Sequence, residues 1–347
     1  MNEQVLSNLS MVTSVVVYLL AMFAHAAEWA SARRLDPAAE TVEGSVTETA
    51  SQRVAERELV AAGAGGGSVV EAPAAETLDS HPDGTGGADA PAEAGAVRQR
   101  VESFGRIGFA LTVIGFALSV LGVVLRGVAA GRAPWGNMYE FTTAAMVFIV
   151  AVYLVLAGRF RMRWLGLPVT LLAAIGNGLA VTVFYVAVAP LVPALHSVWF
   201  LIHIVAAAIS GAAFNVGGVA SILYLIKRRA ENKGAVRGYL TRLPEARKID
   251  VIAYRFNAFA FPLWTFTVAA GSIWAEYAWG RYWGWDPKET WALVTWVIYA
   301  CYLHARATAG WRGRNAAIIG IIGMASFWFN FIGVNLLFAG LHSYAGV

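Results

Sequence analysis

The chain has 347 residues, 58% of them hydrophobic and only 14% charged, with a mean hydropathy of +0.58. A soluble core uses far less apolar side chain, and here the excess falls in long blocks, so a soluble globular protein is excluded and an all-α polytopic membrane protein is expected. The net charge of +4 gives no basis for nucleic-acid binding, because basic residues in such a chain mark short loops on one side of a membrane; the single cysteine, Cys301, excludes an intramolecular disulfide, a CxxC pair and a thiolate zinc site.

Apolar blocks of about 20 residues mark the spans. The first, 8–30, follows MNEQVLSNLS, which lacks the basic start of a signal peptide, and is read as a helix forming a first unit, 1–30. Residues 31–103 are rich in Ala, Gly, Glu, Ser and Pro and nearly free of aromatics; they hold more than half of the acidic residues and cannot offset chain entropy by burial. They are expected to form a disordered acidic loop. The remainder, 104–347, carries seven further spans at 104–130, 138–157, 164–188, 198–226, 256–279, 288–307 and 315–340, making about eight in all. Between the fifth and sixth lies a basic, partly amphipathic connection, Lys227 to Asp250, read as an interfacial helix or ordered loop.

Arginines set the orientation. Arg159, Arg161 and Arg163, the run from Lys227, and Arg306, Arg312 and Arg314 all fall on one side, which is therefore cytoplasmic. The acidic loop, flanked by Arg33 and Arg34, shares that side. GRAPWGNMYE, PLVPALHS and the segment 274–296 are then extracytoplasmic, with both termini.

Segment 274–296, WAEYAWGRYWGWDPKETWALVTW, holds six of the thirteen tryptophans. Asp286, Pro287 and Glu289 form a capping-box pattern that opens the seventh span. An aromatic belt is one role for the tryptophans, but a belt spreads one or two per helix end, whereas Trp279, Tyr282, Trp283, Trp285 and Trp291 crowd one connection.

Histidines sort by depth. His203, early in the fifth span, and His342, past the last, lie near the outer end. His304, about 17 residues into its span, lies roughly 25 Å deeper, and His25 at similar depth; His81 falls in the acidic loop. His196 and His203 are seven apart on one face, roughly 10 Å, too far for two axial nitrogens on one iron, so an axial pair must come from different helices. His203 with His342 meets that condition, with the tryptophan segment level with them. Two imidazoles, a flat aromatic surface and cations such as Arg281 and Lys288 for propionates are what haem requires. The same residues leave two other readings open: a cytochrome b-like electron carrier and a transporter with an aromatic cage.

WGRYWGWDPKETW resembles the WWD signature of the CcsA (ResC) family of system II cytochrome c biogenesis. LVPALHSVWFLIHI resembles the segment carrying that family's first external histidine, and the likeness runs over roughly 105–347, including GRAPWGNMYEF. The related haem handlers CcmC and CcmF usually lack the DPKETW continuation. The resemblance implies haem ligands at His203, His342 and, within the membrane, His304. It maps the WWD core onto Trp283, Trp285 and Asp286, beside which Trp279 and Trp291 of the same crowded segment are expected to complete a haem platform, and His304 is expected to pair either with His25 or with a CcsB/ResB-type subunit. It further implies a haem lyase subunit of the plasma membrane that holds haem b at the outer face for the CxxCH thiols of apocytochrome c, kept reduced by an extracytoplasmic thiol-reducing protein.

Overall fold

The computed structural model describes residues 2–32, 89–308, 311 and 313–342. The chain runs through α1 (Glu3–Ala32), α2 (Asp89–Ala130), α3 (Met138–Arg159), α4 (Gly166–Thr182), α5 (Val198–Asn232), α6 (Ala246–Trp279), α7 (Pro287–Ala307) and α8 (Arg314–Trp328). A π-helical turn, Phe329–Gly333, then leads into the short α9 (Val334–Leu337). Among the described residues there is no strand. The chain is an all-α polytopic membrane protein, with seven helices long and apolar enough to cross a membrane. The expected seventh span, α7, is not among them. At 21 residues it is long enough, but Lys288, Glu289, two tryptophans, two tyrosines, His304 and Arg306 lower its hydropathy.

Two helix starts differ most from expectation. Helix α2 starts at Asp89 rather than near 104, and α6 at Ala246 rather than 256. In both cases the added turns are amphipathic. Val97 and Val101 pack on the core from α2, and Ile249 and Ala253 from α6, while charged neighbours face outward. A hydropathy window registers only the wholly apolar part of such a helix. Most of the segment expected to be a disordered loop, with His81, lies outside the described residues; its last 15 residues, 89–103, are helical.

Helices α1 and α2 pack antiparallel. Gly122, Gly115, Gly108 and Gly105 on α2 meet Met11, Tyr18, His25 and Glu28 on α1, so each large side chain has a position without a Cβ against it. The largest buried cluster joins these helices to α3, α4, α5 and α6 through Tyr153, Val169, Val216 and Ile249. A second cluster, around Phe214, Trp264 and Tyr299, ties α5, α6 and α7 together, with the Phe214 and Tyr299 rings stacked 3.6 Å apart.

Chain direction alternates, so the start of α1, the α2–α3, α4–α5 and α6–α7 connections and the end of α9 gather at one end of the bundle. Gln4 reaches Tyr185 there, and the Tyr139 hydroxyl reaches Asn8. A third cluster of Leu195, Phe200 and Trp274, with Trp135, Trp199 and Trp279 against it, marks the same end.

Candidate functional site

The tryptophan connection is held by local backbone chemistry. Helix α6 stops where Gly280 adopts a left-handed conformation (φ 68°), and α7 begins with the capping box expected from Asp286, Pro287 and Glu289. Glu289 accepts from the backbone N–H of Gly284 (2.8 Å) and of Asp286 (3.1 Å), and pairs with Arg281 (3.4 Å). Three bonds to one carboxylate fix the short loop, and Trp285, at φ 60°, turns its side chain outward.

Beneath this loop is a cavity lined mainly by aromatic and apolar side chains of α3, α5, α6, α7 and the chain after α8, with His203 and His342 among them. His203, on α5, donates from Nδ1 to the Thr267 carbonyl of α6 at 2.9 Å, and its ring lies against Gly271, where a Cβ would strike it. His342, beyond α9, donates from Nδ1 to the Asp286 carboxylate at 2.7 Å. The second Asp286 oxygen accepts from the Leu341 N–H at 2.7 Å, so one carboxylate both caps α7 and anchors the chain that carries His342. Each acceptor fixes the Nδ1–H tautomer and so places the lone pair on Nε2, the nitrogen through which a histidine held in this way can bind a metal.

The electrostatics agree. Burial pushes the Asp286 carboxyl up, but the His342 hydrogen bond and charge, with the Leu341 and Lys288 amides, outweigh it and hold the group at about 2. Burial lowers the His342 imidazole more than its bond to Asp286 raises it, so the ring is neutral near pH 7. An ionised carboxylate facing a neutral Nδ1–H leaves the histidine basic enough to coordinate and uncharged enough to do so.

Trp274 is in ring contact with both histidines. His203 is stacked near it at 5.8 Å between centroids, and His342 meets it at 5.6 Å and Trp279 at 4.9 Å. Trp274 is itself tied to the α4–α5 connection, donating from Nε1 to the Ala194 carbonyl at 2.7 Å. Trp135 lines the cavity from the α2–α3 connection, which a wholly buried Glu140 secures. That carboxylate accepts from Arg126 (2.8 Å), Arg132 (2.8 Å) and the Gly136 N–H (2.7 Å). The two arginines also donate to the carbonyls of Val186 and Ala189, so the clamp joins both connections flanking the cavity.

Of the residues expected at the site, His203, His342, Trp279 and Trp283 line the cavity, and Asp286 acts on it through His342. Trp285 does not: it is 68% exposed, edge-on to Trp283 at 5.7 Å. Trp291 packs on Phe329 at 4.3 Å, outside the lining. Arg281, expected to meet a propionate, is engaged by Glu289, whereas Lys288 lines the cavity. His196 is exposed. His304 is exposed near the far end of α7, and His25 is buried in α1 between Gly108 and Gly166 with Glu28 at 3.3 Å, its Nε2 without a partner. The structure does not bring these two together. Sequence reasoning missed Trp274, Trp135, Thr267 and Asn330; GRAPWGNMYE was placed at this end, which could have pointed to Trp135.

Two buried imidazoles among aromatic side chains are a donor set that fits haem. Residues 135–342, the segment that carries His203, His342 and the tryptophan connection, match the family described as Cytochrome C assembly protein. The chain is 35% identical over 271 residues to the cytochrome c biogenesis protein CcsA of Microcystis aeruginosa, covering 63% of this chain and 81% of that one. It is 33% identical to the CcsA protein of Guillardia theta, with 72% and 89% covered, and 37% identical to that of Chlamydomonas reinhardtii, with 64% of each covered. A solved structure, cytochrome c heme lyase CcmF, superposes with a TM-score of 0.55 at 12% identity over 99% of this chain and 53% of that one, a likeness of fold alone.

Proposed function

The chain belongs to the CcsA family of cytochrome c assembly proteins, and from that premise we propose that it is the haem-holding subunit of a cytochrome c synthetase. The observation that carries the reading is the pair His203 and His342: two imidazoles from different elements, each donating from Nδ1 to a fixed acceptor, line one cavity and both contact Trp274. His203 and His342 would hold haem b, non-covalently, as axial ligands. When bound, haem supplies two vinyl groups, across which the CxxCH thiols of an apocytochrome add, sulfur to one carbon and proton to the other, with no oxidant consumed.

This chain's own residues position and exclude. The Thr267 carbonyl and Asp286 orient the imidazoles, and Trp274, Trp279 and Trp283 offer flat surface while keeping water from the macrocycle. Placement of this end of the bundle on the extracytoplasmic face of the plasma membrane rests on the arginine distribution. The exposed His304 at the opposite end suits an inner haem position completed by a CcsB/ResB-type partner, with haem passing outward to the His203–His342 cavity; a thiol-reducing protein would keep the apocytochrome reduced. His25, boxed by two glycines and Glu28, has no room for a porphyrin and is better read as a packed histidine.

The test is complementation. His203→Ala or His342→Ala should abolish cytochrome c maturation at normal protein levels, with partial recovery when imidazole is supplied. Full maturation in both variants would defeat the reading.

A further inference from the structure

We propose that the Lys288 ammonium and the Asn330 carboxamide form a carboxylate subsite of the cavity that takes one haem propionate; the inference rests on the haem-holding reading above and adds where the porphyrin's charged edge sits. Both side chains line the cavity. Asn330 belongs to the π-helical turn Phe329–Gly333, a local break of a kind that often accompanies functional sites. It is only 8% exposed, and its buried Oδ1 has no hydrogen-bond partner. A buried amide left unsatisfied costs stability unless a ligand satisfies it. Rotating the carboxamide by half a turn presents its two N–H donors at the same point.

Lys288 lies beside it. Its Nζ donates to the carbonyl of Phe331, the residue after Asn330, at 3.3 Å, and sits 5.8 Å from the Phe331 ring centre. Among the described lining residues it is the only lysine or arginine. One carbonyl leaves an ammonium with further N–H donors to give. The nearby carboxylates do not compete for them. Glu289 is taken by Arg281 and two backbone amides, and Asp286 by His342 and the Leu341 and Lys288 amides. Burial pulls the Lys288 ammonium down to about 7, against the Asp286 charge that raises it, so a carboxylate brought beside it and the Asn330 amide would hold the proton on Nζ and complete an ion pair.

The experiment titrates the purified full-length chain with iron protoporphyrin IX and with its dimethyl ester, which keeps the ring and iron but lacks the carboxylates. The wild type should bind the diacid roughly tenfold or more tightly than the diester. Lys288→Met and Asn330→Leu should weaken the diacid by about that factor and leave the diester unchanged, while Lys288→Arg should retain the preference. Equal affinity of the wild type for the two porphyrins, or variants that weaken both alike, would overturn the subsite. A wild type that binds neither porphyrin refutes the haem-holding reading itself, which separates the two failures.

Discussion

Replacing Asp286 with Asn isolates the orienting role of the carboxylate from its capping role. Asn is as good an N-cap as Asp, so α7 should keep its start. Bonding to the chain beyond α9 cannot be kept whole. One carboxylate oxygen accepts from the Lys288 N–H and the His342 Nδ1–H, the other from the Leu341 N–H. An amide has one acceptor oxygen, so its NH₂ must face one of these donors. The bond to His342 is 2.7 Å long and its carboxylate side is only 4% exposed, so solvent screening takes little from it. Losing a hydrogen bond to a charged partner in such a place costs about 1.5–3 kcal/mol, a loss of roughly ten- to hundredfold in haem affinity if it falls on the ligand. The assay is haem titration of the purified variant followed by its visible spectrum. The expected result is weaker binding and a shift from a six-coordinate low-spin towards a five-coordinate high-spin spectrum, with helix content unchanged. Wild-type affinity and a wild-type spectrum would show that Asp286 does not hold the ligand.

Three further outcomes follow from the same geometry. Glu140→Ala leaves Arg126 and Arg132 with buried charge uncompensated, at a cost of about 3–5 kcal/mol; a fall in protein level and thermal midpoint should follow, and unchanged stability would contradict the clamp. Asp286, held at about 2, and His342, held below its ordinary value, both bind fewer protons folded than unfolded. Stability of the haem-free protein should therefore rise with pH from about 2 to 6.5 and be lost as pH falls through that window, less so in Asp286→Asn; a thermal midpoint independent of pH across it would refute the assignment. His304→Ala should lower haem content of the complex with its partner subunit while leaving direct haem binding to the purified chain intact, and full content in the complex would make His304 a surface residue of no consequence to haem.

The helices were legible wherever a bilayer demands continuous apolar sequence, and less so where a helix outruns the membrane. Val97 and Ile249 belong to such extensions, whose polar neighbours hide them from a hydropathy window. The start of α7 was legible because Asp286, Pro287 and Glu289 are a local code, one that needs no tertiary context. That His203 and His342 share one end of the bundle was legible from their depth in the spans. What the sequence left hidden depends on side-chain direction. Trp283 and Trp285 are two residues apart, yet one lines the cavity and the other faces outward, because the backbone at Trp285 turns to a positive φ. Asp286 was expected within the platform and instead bonds the imidazole of His342, 56 residues away in sequence, a contact that no local pattern announces. Asn330 drew no notice because its significance lies in a hydrogen bond it lacks.

The central claim is that His203 and His342 hold one iron between them, and the most direct measurement is the low-temperature electron paramagnetic resonance spectrum of the ferric haem complex of the purified chain. The expected signal is a single low-spin species typical of two imidazole ligands, replaced in both His203→Ala and His342→Ala by a high-spin signal that added imidazole converts back, with the pigment released by acid acetone throughout. A low-spin signal that survives both substitutions, or pigment that resists extraction, would contradict it.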